Sequence, residues 1–161
     1  MSVEMFFRME GVEGGTLNYS HKGWADCLSY QWDLAPRAGD ALGEGVNQLS
    51  LVKTVGPDSA VLMTLCTAAT IVRVAELSII PNLGKRDVPQ KYLALTLEDV
   101  QVMRISTGGG LEESVFRETI TLRFGKVRYE YHQYSDIGAA GAPRPLATYT
   151  FDWAMPAGSI A

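Results

Sequence analysis

Residues 118–131, ETITLRFGKVRYEY, indicate a β fold, because apolar and polar side chains alternate along them. Such a period of two is typical of a β-strand with one face in the core and the other in water. The alternation changes parity at Gly125, where the apolar positions 120, 122 and 124 give way to 127, 129 and 131. One extra residue is too few for a hairpin loop, so we predict one long bent strand with a bulge at Gly125-Lys126.

The same alternation continues in other parts of the chain. In the segment 25–33, Leu28, Tyr30 and Trp32 are predicted to face the core, and Cys27 and the polar residues the solvent. A second parity change is predicted across residues 98–99, between two runs of apolar residues. Further strands are predicted at residues 4–10, 47–54, 71–80, 93–102 and 147–153.

One segment has helical spacing. Apolar residues at positions 61, 62, 65, 66 and 69 follow Pro57, which is a favourable residue for a helix start, and the caps proposed are Asp58 or Ser59. The sequence therefore predicts a mainly β fold in a single domain spanning residues 1–161. Its architecture is a two-sheet antiparallel β-barrel or sandwich with one lateral α-helix at residues 58–69.

Composition and charge restrict the function. The 161 residues are 47% hydrophobic and 20% charged, which is typical of a folded domain with a sizeable core. The net charge of −4 argues against nucleic acid and anionic membranes as partners. The first residues lack the basic and apolar regions of a signal peptide, and no apolar run approaches the roughly 20 residues of a membrane span. We therefore expect a protein made in the cytoplasm and not inserted into a membrane.

The glycine-rich run Ser106, Thr107, Gly108, Gly109 and Gly110 resembles a phosphate cradle. A nucleotide-binding loop of this kind requires a following lysine and helix, whereas an acidic pair at 112–113 follows here and would repel phosphate. We therefore interpret the run as a structural turn between two strands.

The candidates for chemistry are few. A nucleophilic pair would have to combine Cys27 with His21 or His132, but Cys27 and His132 are predicted on exposed strand faces and no third orienting group is recognisable. Cys66 and Cys27 lie in no metal-binding or disulfide spacing, which favours buried structural thiols, in contrast to the exposed face that alternation predicts for Cys27. Tyrosines at 129, 131, 134 and 149 could stack on sugars, although aromatic residues at strand spacing are more often core. We predict no catalytic residue, no metal and no cofactor.

Several stretches together resemble the haemolysin-coregulated proteins (Hcp), the tube subunits of type VI secretion systems. The matching motifs, in order, are MFFRMEGVEG at 5–14, the strand at 26–32, the segment 92–109 ending in STGG, residues 118–131, and the aromatic close FDW at 151–153. The resemblance covers nearly the whole chain.

The resemblance implies a β-barrel with a lateral helix, assembled into hexameric rings that stack into a tube. A contractile sheath expels this tube with a spike protein at its tip, and small effector proteins travel in its lumen. The protein would then leave the cell without a cleaved signal peptide, and its role would need no catalytic residue. The alternatives are a monomeric β-sandwich that binds a ligand or carbohydrate, a tail-tube protein of another phage-like contractile particle, or a hydrolase.

Two surfaces are expected to serve this assembly. The polar residues Ser29, Gln31 and Asp33 are predicted to face the lumen, because they alternate with the apolar residues of their strand. The loop at 35–45 is long for a hairpin connection and carries Arg37, Asp40 and Glu44. We expect it to contact the next ring, although a simply disordered loop is the alternative.

Overall fold

Alternating burial along the chain produces strands that each place one face in a common core. The computed structural model describes residues 3–36, 47–81, 93–132 and 147–153. These residues form eight strands, helix α1 and a short 3-10 turn at Tyr19–His21. The elements are β1 (Val3–Met9), β2 (Ala25–Trp32), β3 (Gln48–Thr54), α1 (Ser59–Thr67), β4 (Ile71–Pro81), β5 (Leu93–Gly108), β6 (Arg117–Arg123), β7 (Lys126–Tyr131) and β8 (Ala147–Asp152).

The strands form one antiparallel sheet that closes on itself. Its order is β4-β1-β2-β3-β6-β5-β7-β8, and a further pairing of β4 with β5 closes six strands into a barrel. The first half of β5 pairs with β4 and β7, and its second half pairs with β6. The long strand β5 therefore belongs to both sides of the barrel. The predicted fold class, an antiparallel β-barrel with one lateral helix, is confirmed.

The segment 118–131 forms two strands, β6 and β7, that lie end to end beside β5. The break between them lies at Phe124-Gly125, where the amide of Gly125 donates a hydrogen bond to the carbonyl of Glu98 (2.9 Å). Asp99, next to that carbonyl, has a positive φ of 53°. The two predicted parity changes are therefore the two sides of one bend. The predicted single bent strand is divided in two because ladder pairing is interrupted there on both strands.

The inward side chains of the barrel and one residue of α1 form a single core. Burial of this apolar surface is the main favourable contribution to folding. Its buried members are Phe7, Met9, Cys27, Leu49, Leu51, Leu62, Ala75, Leu77, Leu95, Leu97, Val100, Val102, Ile120, Leu122, Phe124, Val127 and Trp153.

Strand β2 contains a bulge that reverses its predicted faces at one end. Cys27 pairs with Lys53 and Ser29 pairs with the preceding residue of β3, so Leu28 is the extra residue. As a result Cys27 is buried and Leu28 is 41% exposed. The prediction that Leu28 faces the core and Cys27 the solvent is wrong, because no extra residue was foreseen. After the bulge, Tyr30 and Trp32 pack against the core as predicted.

Helix α1 lies against the barrel through Leu62, which is fully buried. It spans Ser59–Thr67, slightly less than the predicted 58–69. Asp58 occupies the N-cap position, but its side chain makes no capping hydrogen bond. Ala69 has a φ of +51°, which is incompatible with continuing a right-handed helix, and it follows the C-cap residue.

Candidate functional site

The predicted lumen residues lie together on the outside of the barrel. Ser29 and Gln31 are exposed on the outer face of β2, beyond the bulge. Asp33 follows the end of β2 and is also exposed, and its Oδ2 accepts a hydrogen bond from Nε2 of Gln31 (3.3 Å). The structure thus brings the three residues to one surface.

This surface continues over the three strands next to β2. In one row across the sheet, Ser29 is followed by Val52, Thr119 and Ser106, because these residues are register partners on β3, β6 and β5. The next row contains Gln31 and its register partners Ser50, Thr121 and Arg104. We define the polar face as the outward positions of these four strands: Ser29, Gln31, Ser50, Val52, Arg104, Ser106, Arg117, Thr119, Thr121 and Arg123.

The polar face is rich in hydroxyl groups and carries three cations. Arg104, Arg117 and Arg123 are exposed, and none forms an ion pair or hydrogen bond with another residue of the described ranges. Asp33 adjoins the face at its edge, where its carboxylate accepts the hydrogen bond from Gln31. Sequence reasoning identified only the contribution of β2. The alternating polar positions of 118–124 were a usable signal for β6, but nothing in the sequence gave the pairing of the strands.

A buried ionic cluster lies on the inner side of the same strands. The Nζ atom of Lys53 contacts Oε1 of Glu118 (2.5 Å) and Oδ2 of Asp58 (3.2 Å), and it donates to the carbonyl of Thr54 (2.7 Å). The hydroxyl of Ser59 donates to the same Glu118 oxygen (2.7 Å). Lys53 and Glu118 are 0% and 2% exposed. Because solvent and substrates do not reach these groups, we interpret the cluster as the attachment of α1 to β3 and β6.

Cys27 and the two histidines are each involved in packing. Burial raises the pKa of the Cys27 thiol to about 12, and its Sγ contacts the carbonyl of Ser29 (3.3 Å), so the thiol is neutral at physiological pH. His21 stacks on Phe6 with ring centroids 4.3 Å apart. His132 is buried rather than exposed as predicted, since its ring packs at the end of β7 with Nε2 3.2 Å from a carboxylate oxygen of Glu130.

The glycine-rich run is partly strand and partly turn. Ser106, Thr107 and Gly108 pair with β6 as the last residues of β5, and the turn begins at Gly109. A side chain at Gly109 would collide with the ring of Phe116, since a Cβ atom there would lie 2.6 Å from Cδ1. No group of three or more metal-ligating side chains occurs within the described ranges.

The chain connecting β5 to β6 forms an apolar surface at the end of the barrel. An open groove of about 610 Å³ is lined there by Val55, Gly109, Gly110, Leu111 and Phe116, among others. The side chain of Leu111 is fully exposed, and Val55 and Phe116 are about half exposed. Groups of exposed apolar residues of this kind are typical of contact surfaces.

The predicted ring-contact residues Arg37, Asp40 and Glu44 lie outside the described residues. Within the described part, no helix combines the length and apolar character needed to cross a bilayer.

Comparison with known proteins connects this geometry to a family. A family model described as "Type VI secretion system effector, Hcp" matches residues 6–131. Protein hcp1 of Pseudomonas aeruginosa is 30% identical over 151 residues, covering 89% of this chain and 92% of that protein. The crystal structure of Hcp1 from Salmonella typhimurium superposes with a TM-score of 0.75 at 23% identity, covering 96% of each chain. A type VI secretion system effector from Yersinia pestis gives 0.71 at 24% identity, covering 92% of this chain and 98% of that one. This chain belongs to the Hcp family of type VI secretion proteins.

Proposed function

We propose that the protein is a tube subunit of a type VI secretion system, in which six copies form a ring and rings stack into a tube. The observation that carries the proposal is the family match over residues 6–131, most of the chain. Hcp is a family of secreted structural proteins rather than of enzymes, and this favours a tube subunit over a monomeric ligand-binding module. A contractile sheath would expel the tube with a spike at its tip, and effectors would travel inside it.

The unpaired strand edges support self-assembly. Beyond Cys27, β2 has no partner on the β1 side among the described residues, and β8 pairs only with β7 there. Unpaired edges offer backbone donors and acceptors to another chain. Two different edges on one subunit suit the head-to-tail contacts that closing a ring requires.

We assign the polar face to the lumen. It is the exposed side of a sheet whose other side is the core, and its residues Ser29 and Gln31, with Asp33 at its edge, present uncharged and acidic groups next to the arginines. A polar, hydrated inner wall would let a folded cargo bind and leave. The opposite assignment, with the polar face outside the ring, would place it against the sheath.

We assign contacts between successive rings to the two ends of β3. The segment 35–45, with Arg37, Asp40 and Glu44, lies in the sequence between β2 and the start of β3. Val55 directly follows the last residue of β3 and belongs to the exposed apolar groove. Head-to-tail stacking would bring the segment of one subunit towards the groove of the next.

Native mass and cargo retention test the proposal together. A mass near six times 17.6 kDa supports the ring, and a mass near 17.6 kDa contradicts it. We expect Gln31→Arg to leave the ring intact and to change which effectors co-purify, because the change alters the lumen wall. Thr64→Arg, at an exposed position of helix α1 outside both the polar face and the groove, is the matched control and should leave both properties unchanged. A monomeric Gln31→Arg protein would contradict the lumen assignment.

A further inference from the structure

Charge is unevenly distributed over this molecule. The chain carries a net charge of −4, yet the three arginines of the polar face contribute +3, so the rest of the chain carries −7. An acidic protein that concentrates exposed, unpaired cations on one sheet face has a local field opposite to its overall charge. Such a face attracts groups that the remainder of the surface repels.

The arginines form a strip across two neighbouring strands. Arg117 and Arg123 lie at the two ends of β6, six residues apart, which is roughly 20 Å at about 3.3 Å per residue. Arg104 on β5 pairs with Thr121 of β6 and lies between them along the strand direction. Because none of the three has a partner in the described ranges, their guanidinium donors are available for binding.

The groups around the arginines suit carboxylates. Thr121 shares its row with Arg104, and the hydroxyl groups of Thr119 and Ser106 form the row between Arg104 and Arg117. Guanidinium groups bind carboxylates with two parallel hydrogen bonds, and hydroxyls complete the remaining acceptor sites. We propose that the polar face binds acidic segments of protein partners. That this binding takes place in the lumen rests on the proposed function.

The surroundings favour a polypeptide over a nucleic acid. The polar face has no aromatic side chain among its defining residues, whereas single-stranded nucleic acid binding depends on stacking against aromatic residues. The charge of −7 over the rest of the chain would also repel a polyanion longer than the strip. A short acidic segment reaches the arginines without contacting that surface. In a ring of six, eighteen arginines would line the interior.

Binding of labelled peptides to the full-length protein tests this inference. The probes are fluorescein-labelled six-residue poly-glutamate and poly-lysine, which extend over about 20 Å, and a six-nucleotide single-stranded DNA; their binding is followed by fluorescence anisotropy at low and at physiological salt. We expect poly-glutamate to bind at least about tenfold more tightly than poly-lysine. The triple variant R104Q/R117Q/R123Q should weaken poly-glutamate binding about tenfold, because it removes the three exposed cations that pair with the glutamate carboxylates. Added salt should weaken the binding in the same direction.

A matched control distinguishes the loss of the three polar-face arginines from a general change in net charge. The variant R73Q/K126Q/R128Q removes the same number of charges from positions outside the polar face, and it should keep poly-glutamate binding within about twofold of the unmodified protein. Equal losses in the two variants would overturn the inference, as would tighter binding of DNA or poly-lysine than of poly-glutamate.

Native mass, measured on the same samples, separates this inference from the proposed function. If the protein forms rings but the triple variant binds poly-glutamate as tightly as the unmodified protein, the inference is contradicted and the proposed ring is not. If the protein is a monomer and its poly-glutamate binding still depends on the three arginines, the proposed ring is contradicted and the inference is not.

Discussion

The two ends of helix α1 are held in different ways. At its start, the buried cluster of Lys53, Asp58 and Glu118 joins the helix to two strands through side chains. At its end, the hydrogen bonds are local: the amide of Thr70 donates to the carbonyl of Leu65 (3.1 Å), that of Ala69 to the carbonyl of Cys66 (3.2 Å), and the hydroxyl of Thr67 to the carbonyl of Met63 (3.1 Å). The start of the helix is therefore held by residues of β3 and β6, whereas the backbone groups at its end form hydrogen bonds with nearby residues of the same segment.

This difference explains why Asp58 is not an ordinary cap. Its carboxylate contacts the amine of Lys53 instead of an amide of the first helical turn. Ser59 helps to shape the entry, since its hydroxyl accepts from the amide of Gly56 (3.0 Å) while donating to Glu118. The position of the helix on the barrel is therefore set by buried charge, and its length by backbone geometry.

Lys53→Met is expected to have the largest effect. It removes the single cation between two buried carboxylates, and breaking such a pair costs about 3–5 kcal/mol of unfolding free energy. Urea denaturation would measure this loss. The control Lys126→Met breaks pairs of 3.9 and 3.7 Å that are half exposed, and it should cost less than about 1 kcal/mol. Equal losses in the two variants would show that burial of the cluster has no special role.

Ser59→Ala tests the same end more mildly. The variant removes one buried hydrogen bond to Glu118 and one from Gly56, and it should lower the unfolding free energy by about 1–2 kcal/mol. The control Ser50→Ala removes a hydroxyl that makes only a long contact with Thr121 (3.4 Å), so its cost should stay under about 0.5 kcal/mol. A larger loss from Ser50→Ala would contradict the assigned role of Ser59.

The alternation of apolar and polar residues predicted most of the strands, but it did not predict correctly in every strand which residues face the core. Alternation located β6 and β7 and the bend between them, because burial on one side follows a period of two. It failed at β2, where the bulge at Leu28 moved Cys27 into the core. A bulge depends on the backbone pairing of a neighbouring strand, and the sequence of β2 alone does not contain that information.

The polar face and the ionic cluster could not be predicted from the sequence for a related reason. Ser50 and Thr121 are neighbours although 71 positions separate them, and Lys53 and Glu118 are 65 positions apart. Only register brings such residues together, and register arises from the closure of the whole barrel. The inward parity of Lys53 within β3 was the one available sign that its charge would be buried.

Ala69→Gly changes the C-terminal end of the helix and has the smallest expected effect. Ala69 has a φ of +51°, a conformation that strains an alanine but not a glycine, and it occupies the position after the helix C-cap where glycine is favoured. The variant should therefore raise the unfolding free energy by about 0.5–1 kcal/mol, measured by thermal or urea denaturation. Ala68→Gly is the matched control, because Ala68 has a φ of −82° and gains nothing from glycine. That variant should lose a comparable amount, since glycine adds freedom to the unfolded chain. Stabilisation by both variants, or by neither, would mean that backbone strain at Ala69 does not set where the helix ends.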